Sequence, residues 1–193
     1  VNQTEAVVGF DTWGLRHDLL AGIEFGRESS EITRFGQTGR PTASLLYPDF
    51  YQIGTINQTF TSDIKTVADT VAVYAVDRIR IGEMFEMILG GRCDVFSAEQ
   101  DNRTTGQTLD RTDREFTWRA AFVFKPTSAI RTYVSAGTSF NPSAESLTLA
   151  ANNANLAPET ATTYELGGSW DVMDGLRLND NIYQQALLGV QPH

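Results

Sequence analysis

The chain has 193 residues, 24 acidic against 15 basic, and a formal net charge of -9. That balance argues against nucleic acid as a partner, since a nucleic-acid binder carries a basic stripe. The single cysteine, Cys93, excludes an intrachain disulfide and a cysteine-based zinc cluster. No stretch approaches 18 consecutive apolar residues, which excludes a transmembrane helix but says nothing of a transmembrane β-barrel.

Period two dominates the pattern, and helical templates are interrupted by Gly, Thr and aromatics. The sequence predicts eight strands, at about 4–12, 15–27, 66–81, 84–96, 114–125, 129–140, 162–172 and 176–184. Short connections join them in pairs: Trp13-Gly14, Gly82-Glu83, Pro126-Thr127-Ser128 and Met173-Asp174-Gly175. These have the length and residues of hairpin turns. Between the pairs lie longer stretches, roughly 28–65, 97–113 and 141–161, rich in Ser, Thr, Asn, Gly and Pro and read as loops. Short turns at one end and long loops at the other are the pattern of a bacterial outer-membrane barrel. Strands of about 9–11 residues suffice to cross a membrane at a tilt.

The two faces differ in kind. In 84–96, Phe85, Met87, Leu89, Gly91, Cys93 and Val95 oppose Glu86, Gly90, Arg92 and Asp94, with Ile88 the exception. In 115–125, Phe116, Trp118, Ala120, Phe122 and Phe124 oppose Glu115, Thr117, Arg119, Ala121, Val123 and Lys125. Leu19, Ala21, Ile23 and Phe25 oppose Asp18, Gly22 and Glu24, and Tyr164, Leu166, Gly168 and Trp170 oppose Thr163, Glu165, Gly167 and Ser169. An antiparallel sandwich with its apolar face inward would give this alternation. A membrane barrel with its apolar face in lipid and its polar face toward a lumen would give it too. On the second reading Tyr74, Phe85, Trp118, Tyr164 and Trp170 would form interfacial girdles. The strand 66–81 is less regular, because Arg78 and Arg80 follow Tyr74 and Val76 on one face. Either a bulge near Asp77 shifts the phase, or the two arginines snorkel at the membrane rim.

Several strings resemble one family. VAVYAVDRIRIGEMFEMILGGRCDVF at 71–96 is similar to the "Y-x-x-D … GG-R-Y-D" hairpin of TonB-dependent outer-membrane receptors. RTYVSAGTSFNPSAESL at 131–147 and NNANLAPETATTYELGGSWDVMDGLRLN at 152–179 resemble the late barrel of the siderophore receptors, most closely the catecholate branch. GLRHDLLAGIEFGRES at 14–29 resembles a mid-barrel hairpin. The resemblance implies an all-β antiparallel meander of about eight strands, part of a larger transmembrane barrel in the outer membrane. It implies capture of ferric siderophores, catecholate type, through extracellular loops. A plug domain and TonB would belong to the complete protein. Residues 1–183 are then expected to be a partial barrel domain and 184–193 a divergent tail. The ends, which show neither a signal peptide nor a terminal aromatic residue, suggest a section of a longer protein. A small self-closing eight-stranded barrel and a soluble β-sandwich binding module are the alternatives.

Chemistry is sparse, and no catalytic, cofactor-binding or metal-ligating set is expected. His17 reads as a packing or interfacial residue rather than a ligand, and Cys93 as inert. Glu24, Glu86, Arg92, Asp94, Arg119 and Glu165 read as a lumen-side ladder of opposite charges. Asp180 falls on the lipid-facing register with Leu176, Leu178 and Ile182. The stretch 28–65 holds Arg34, Arg40, Tyr47, Phe50 and Tyr51, whose charge and ring faces suit a flat anionic complex. No individual ligand residue follows from this. Iron would arrive chelated, so protein metal ligands are not required.

Overall fold

The computed structural model describes residues 1–51, 53–142 and 158–188. Within them the chain forms one antiparallel sheet in simple meander order, with every strand hydrogen-bonded to its neighbours in sequence. The strands are β1 (Asn2–Thr12), β2 (Leu15–Thr38), β3 (Asn57–Ile81), β4 (Phe85–Asn102), β5 (Gln107–Phe124), β6 (Ile130–Asn141), β7 (Glu159–Met173) and β8 (Leu176–Leu188). β1 and β8 do not pair with each other, so the sheet is not a closed eight-stranded barrel. No second sheet packs on it among the described residues, which removes the sandwich reading.

The turns act where their residues allow. Thr12 pairs with Leu15, leaving Trp13 and Gly14 as a two-residue hairpin loop. Both have positive φ, 50° and 82°, as a type I′ turn requires. Gly82 and Gly175 supply the same left-handed conformation at two other turns of this end.

The far end differs from expectation. β2 and β3 pair continuously from Arg16–Arg80 up to Thr38–Asn57, with one bulge between Arg34 and Phe35. β4 and β5 pair up to Asn102–Gln107. The stretches read as loops at 28–65 and 97–113 are therefore mostly strand, and the connections shrink to 39–56 and 103–106. The Ser and Thr residues of these stretches sit in the ladder opposite hydrogen-bonded neighbours, and Thr is enriched in strands.

Burial is inverted relative to a soluble sheet. Phe116 and Leu166 are each 60% exposed and Ile182 72%, whereas Glu86 is 7% and Asp94 6% exposed. The sheet curls so that its polar face is the shielded one, and the apolar face points outward as the alternation predicts. Apolar rows run up to Phe25–Val71–Val95, interrupted toward the turns by the paired His17 and Asp77. The next outward rows carry Arg27, Asp69, Ser97 and Thr112, then Glu99, Asp110, Glu31, Lys65 and Asp101. The apolar band is thus about as tall as a tilted strand crossing a bilayer. Above it, the β2–β3 hairpin continues for 13 residues of β2, roughly 40 Å at the usual rise per residue.

Registers fix the doubtful positions. No bulge occurs at Asp77, and Arg78 and Arg80 remain on the inner face with Tyr74 and Val76. Tyr74 is therefore not a girdle residue. Phe85, Trp118, Tyr164 and Trp170 are on the outer face, as is Asp180, which pairs with Gly168 between Leu178 and Ile182. Trp13 projects fully exposed at the β1–β2 turn. An aromatic residue there suits a membrane interface.

Candidate functional site

Inner-face chemistry is built by neighbouring strands across their registers. β2 contributes Glu24, β3 contributes Tyr74, and β4 contributes Arg92 and Asp94. Arg92 bonds Glu24 at 3.1 Å and Asp94 at 2.8 Å, and its guanidinium lies 5.5 Å from the centroid of the Tyr74 ring. Charge-assisted pairs of this kind let a shielded acid stay ionised without an uncompensated charge. Nearer the turns, Glu86 of β4 accepts from Arg78 at 2.9 Å and also from Lys125, just past the end of β5, while Arg80 pairs with Asp18. The ladder read from the sequence is present for Glu24, Glu86, Arg92 and Asp94. It fails for two members. Glu165 accepts from Tyr133 Oη at 2.5 Å and Asn181 Nδ2 at 2.9 Å rather than from a cation. Arg119 has no partner among the described residues.

Two tyrosines repeat one device that the sequence did not reveal. The Tyr74 ring lies flat over Gly22 of β2, and its hydroxyl reaches Glu5 of β1 at 2.7 Å. A Cβ on Gly22 would stand 2.5 Å from the ring, so only glycine fits. Tyr133 of β6 covers Gly167 of β7 in the same way and bonds Glu165. A Gly directly opposite a Tyr on the polar face was the available signal.

On the outer face, His17 bonds Asp77 through Nδ1 and Thr12 through Nε2, both at 2.7 Å, and stacks on Phe10 at 4.8 Å. That is a packing role, with each imidazole nitrogen used by a protein partner. Cys93 is exposed on the same face.

At the far end, Arg103 of the β4–β5 turn bridges back to Glu31 and, at 3.4 Å, Asp63. Their hydrogen bonds, Glu31 first, push the guanidinium further toward its charged form. Arg27 and Asp69 form a two-bond pair at 2.7 and 2.8 Å. Of the residues singled out in 28–65, Arg34 is on strand β2 at the bulge. Arg40, Tyr47, Phe50 and Tyr51 occupy the connection 39–56 and are exposed. Leu45, Leu46 and Ile53 are almost fully exposed beside them. These apolar side chains were missed because they stand between turn residues with no periodicity to mark them.

Comparison with known proteins gives this wall its family. The family model described as "TonB dependent receptor-like, beta-barrel" matches residues 2–186. The chain belongs to that family. It is 27% identical over 194 residues to the probable TonB-dependent siderophore receptor PiuA of Acinetobacter baumannii, covering 86% of this chain and 26% of that protein. The catecholate siderophore receptor Fiu of Escherichia coli is 26% identical, over 90% of this chain and 27% of its own length. A ferrichrome outer membrane transporter/phage receptor of Escherichia coli is 28% identical, over 82% and 21%. The crystal structure of PiuA superposes with a TM-score of 0.78 at 25% identity, covering 94% of this chain and 30% of that one. The chain therefore spans about a quarter of the length of the curated relatives it matches. These relatives include more than one siderophore type, so the likeness places the chain among siderophore-receptor barrels and not in the catecholate branch alone. It is a section of outer-membrane barrel wall from a family of receptors, not of enzymes. Residues 143–157, which carry much of the FNPSAE and NANL-x-PE resemblance, and the end of the tail at 189–193 lie outside the described residues.

Proposed function

We propose that this chain is part of the wall of a receptor that takes ferric siderophores across the outer membrane, with catecholate complexes as the cargo. TonB would supply the work in the complete receptor, through a plug domain that fills the lumen. The observation that carries the reading is the inverted sheet, with a lipid-facing apolar band, an ion-paired polar lumen face and a tall polar hairpin above the band. Such a wall gives a polar interior to a solute too large and too charged to dissolve in lipid. At the hairpin tip, Arg40, Tyr47, Phe50 and Tyr51 supply a cation and ring faces, the groups that attract a flat anionic complex. Residues 1–183 are assigned to the barrel domain, and the divergent tail at 184–193 begins within β8, which continues to Leu188.

The test is iron-limited growth of a strain lacking its own catecholate receptors and expressing the complete receptor that contains this segment. Growth on a ferric catecholate that depends on TonB is expected. Growth restored by a ferric hydroxamate alone would replace the cargo, and no TonB-dependent uptake of either would overturn the function.

A further inference from the structure

Among the described residues, two acids stand on the outer face within the apolar band, Asp77 of β3 and Asp180 of β8. A carboxylate that faces lipid needs a compensating partner to stay ionised. Asp77 has one in the protein, His17 Nδ1 at 2.7 Å. Asp180 is exposed and has neither hydrogen bond nor ion pair among the described residues.

The surroundings of Asp180 select its partner. It pairs with Gly168 of β7, which pairs with Thr132 of β6. The next outward row toward the turns is Leu178, Trp170 and Ile130. Gly168 has no side chain, so the surface sinks there into a shallow recess of about 250 Å³ lined by Asp180, Gly168, Thr132, Trp170 and Leu178. Asp180 is diagonal to Trp170, a cross-strand spacing within reach of an aromatic side chain. Trp170 is half exposed, and its indole N–H has no acceptor among the described residues. The nearby cations, Arg131 and Arg177, belong by register to the opposite face. Two rows, Trp170–Leu178 and Met173–Leu176, separate Asp180 from the β7–β8 turn, which puts the recess beside the interfacial aromatics at this end of the band.

We propose that this recess holds the head group of a phospholipid with a primary ammonium, phosphatidylethanolamine, whose ammonium donates to Asp180 and whose phosphate accepts from the Trp170 indole N–H. The inference rests on the reading of this sheet as a membrane wall. Charge complementarity sets the class of lipid, because an unpaired acid at the interface attracts a cationic group and repels an anionic head. A primary ammonium brings three N–H donors to the carboxylate, and the bond is charge-assisted on both sides. A fully methylated ammonium brings none. Indole suits the same role, with a ring face that attracts cations and an N–H that donates at the wet edge of the bilayer.

The test places the complete receptor that contains this segment in dioleoylphosphatidylcholine nanodiscs and follows the Trp170 indole N–H resonance by NMR, assigned by its loss in W170F. Dioleoylphosphatidylethanolamine mixed into the disc should shift the resonance saturably, and dioleoylphosphatidylglycerol should not. D180N keeps the shape and loses the charge, and should raise the ethanolamine-lipid fraction at half-shift about tenfold. Taking a charge off the lipid face does not endanger the fold. An equal shift in D180N, an equal shift by the glycerol lipid, or no shift at all would overturn the site. Free ethanolamine acting as strongly as the lipid would overturn the lipid assignment in favour of a soluble amine. Failure of the wall reading has a separate signature, an aqueous environment at Cys93, which does not depend on the head group supplied.

Discussion

The lower and upper halves of the β2–β3 hairpin share one continuous register but obey different rules. Below the row Phe25–Val71, the outer face is Leu19, Ala21, Ile23, Val73 and Ala75, and the inner face carries paired charges. Above it, the outer face turns polar, with the Arg27–Asp69 and Arg103–Glu31–Asp63 contacts in the open, while the inner face buries Ala68, Phe96 and Ala98. The backbone ladder is the same in both. What changes is the solvent against the outer face, and that change sets the worth of each side chain.

The largest break in this comparison should come from a charge in the lower outer face. Ala75→Arg, near the middle of the apolar band, is expected to cost about 2–4 kcal/mol in lipid. Val67→Arg, on the same strand and face but above the band, should stay within about 0.5 kcal/mol. Denaturant unfolding of both variants in lipid vesicles checks the contrast, and equal costs would erase the boundary. Next, Arg92→Met leaves Glu24 and Asp94 without their cation. The shielded carboxylates should destabilise the wall by roughly 1–3 kcal/mol, read in the same unfolding experiment. A comparable loss, about 1–3 kcal/mol, is expected for Gly22→Val, because the new side chain drives the Tyr74 ring off β2. In a Tyr74→Ala background the Gly22 change should become nearly silent, and persistence of the full loss would contradict the ring-over-glycine packing. The smallest effect belongs to the upper half. Arg103→Ala should leave the unfolding midpoint unchanged and speed amide exchange at Gly106, whose N–H bonds the Asn102 carbonyl. That is the expectation for an exposed ion pair, which is worth little in water.

The sequence made the lower half legible because every requirement there is written into single residues. The alternation assigns Phe116, Phe122, Cys93 and Glu86 to their faces, and Trp13-Gly14 closes a hairpin that only a left-handed pair can close. The upper half was hidden. Ser29, Thr59 and Thr61 form exposed strand, so no hydrophobic period marks them. The inner-face arrangement was half visible. Opposite charges on neighbouring strands announced Arg92 with Glu24 and Asp94. The tyrosine-over-glycine contacts and the lone Arg119 depend on register across two strands, which sequence separation does not disclose. Arg78 and Arg80 were read as a phase problem because their partners, Glu86 and Asp18, lie on strands whose register was unknown.

The central claim is that the apolar face of this sheet meets lipid. Cys93 is the only cysteine and stands exposed on that face, between Leu89 and Val95 and across from Val73 and Phe116. A nitroxide attached to it in the chain reconstituted into vesicles reports the surroundings through collisions with oxygen, which concentrates in lipid, and with a water-soluble nickel chelate. The account predicts strong collision with oxygen and weak collision with the chelate at Cys93, and the reverse for a label at Ala121→Cys on the inner face of a Cys93→Ser chain. Chelate-dominated collisions at Cys93, or the same ratio at both positions, would contradict it.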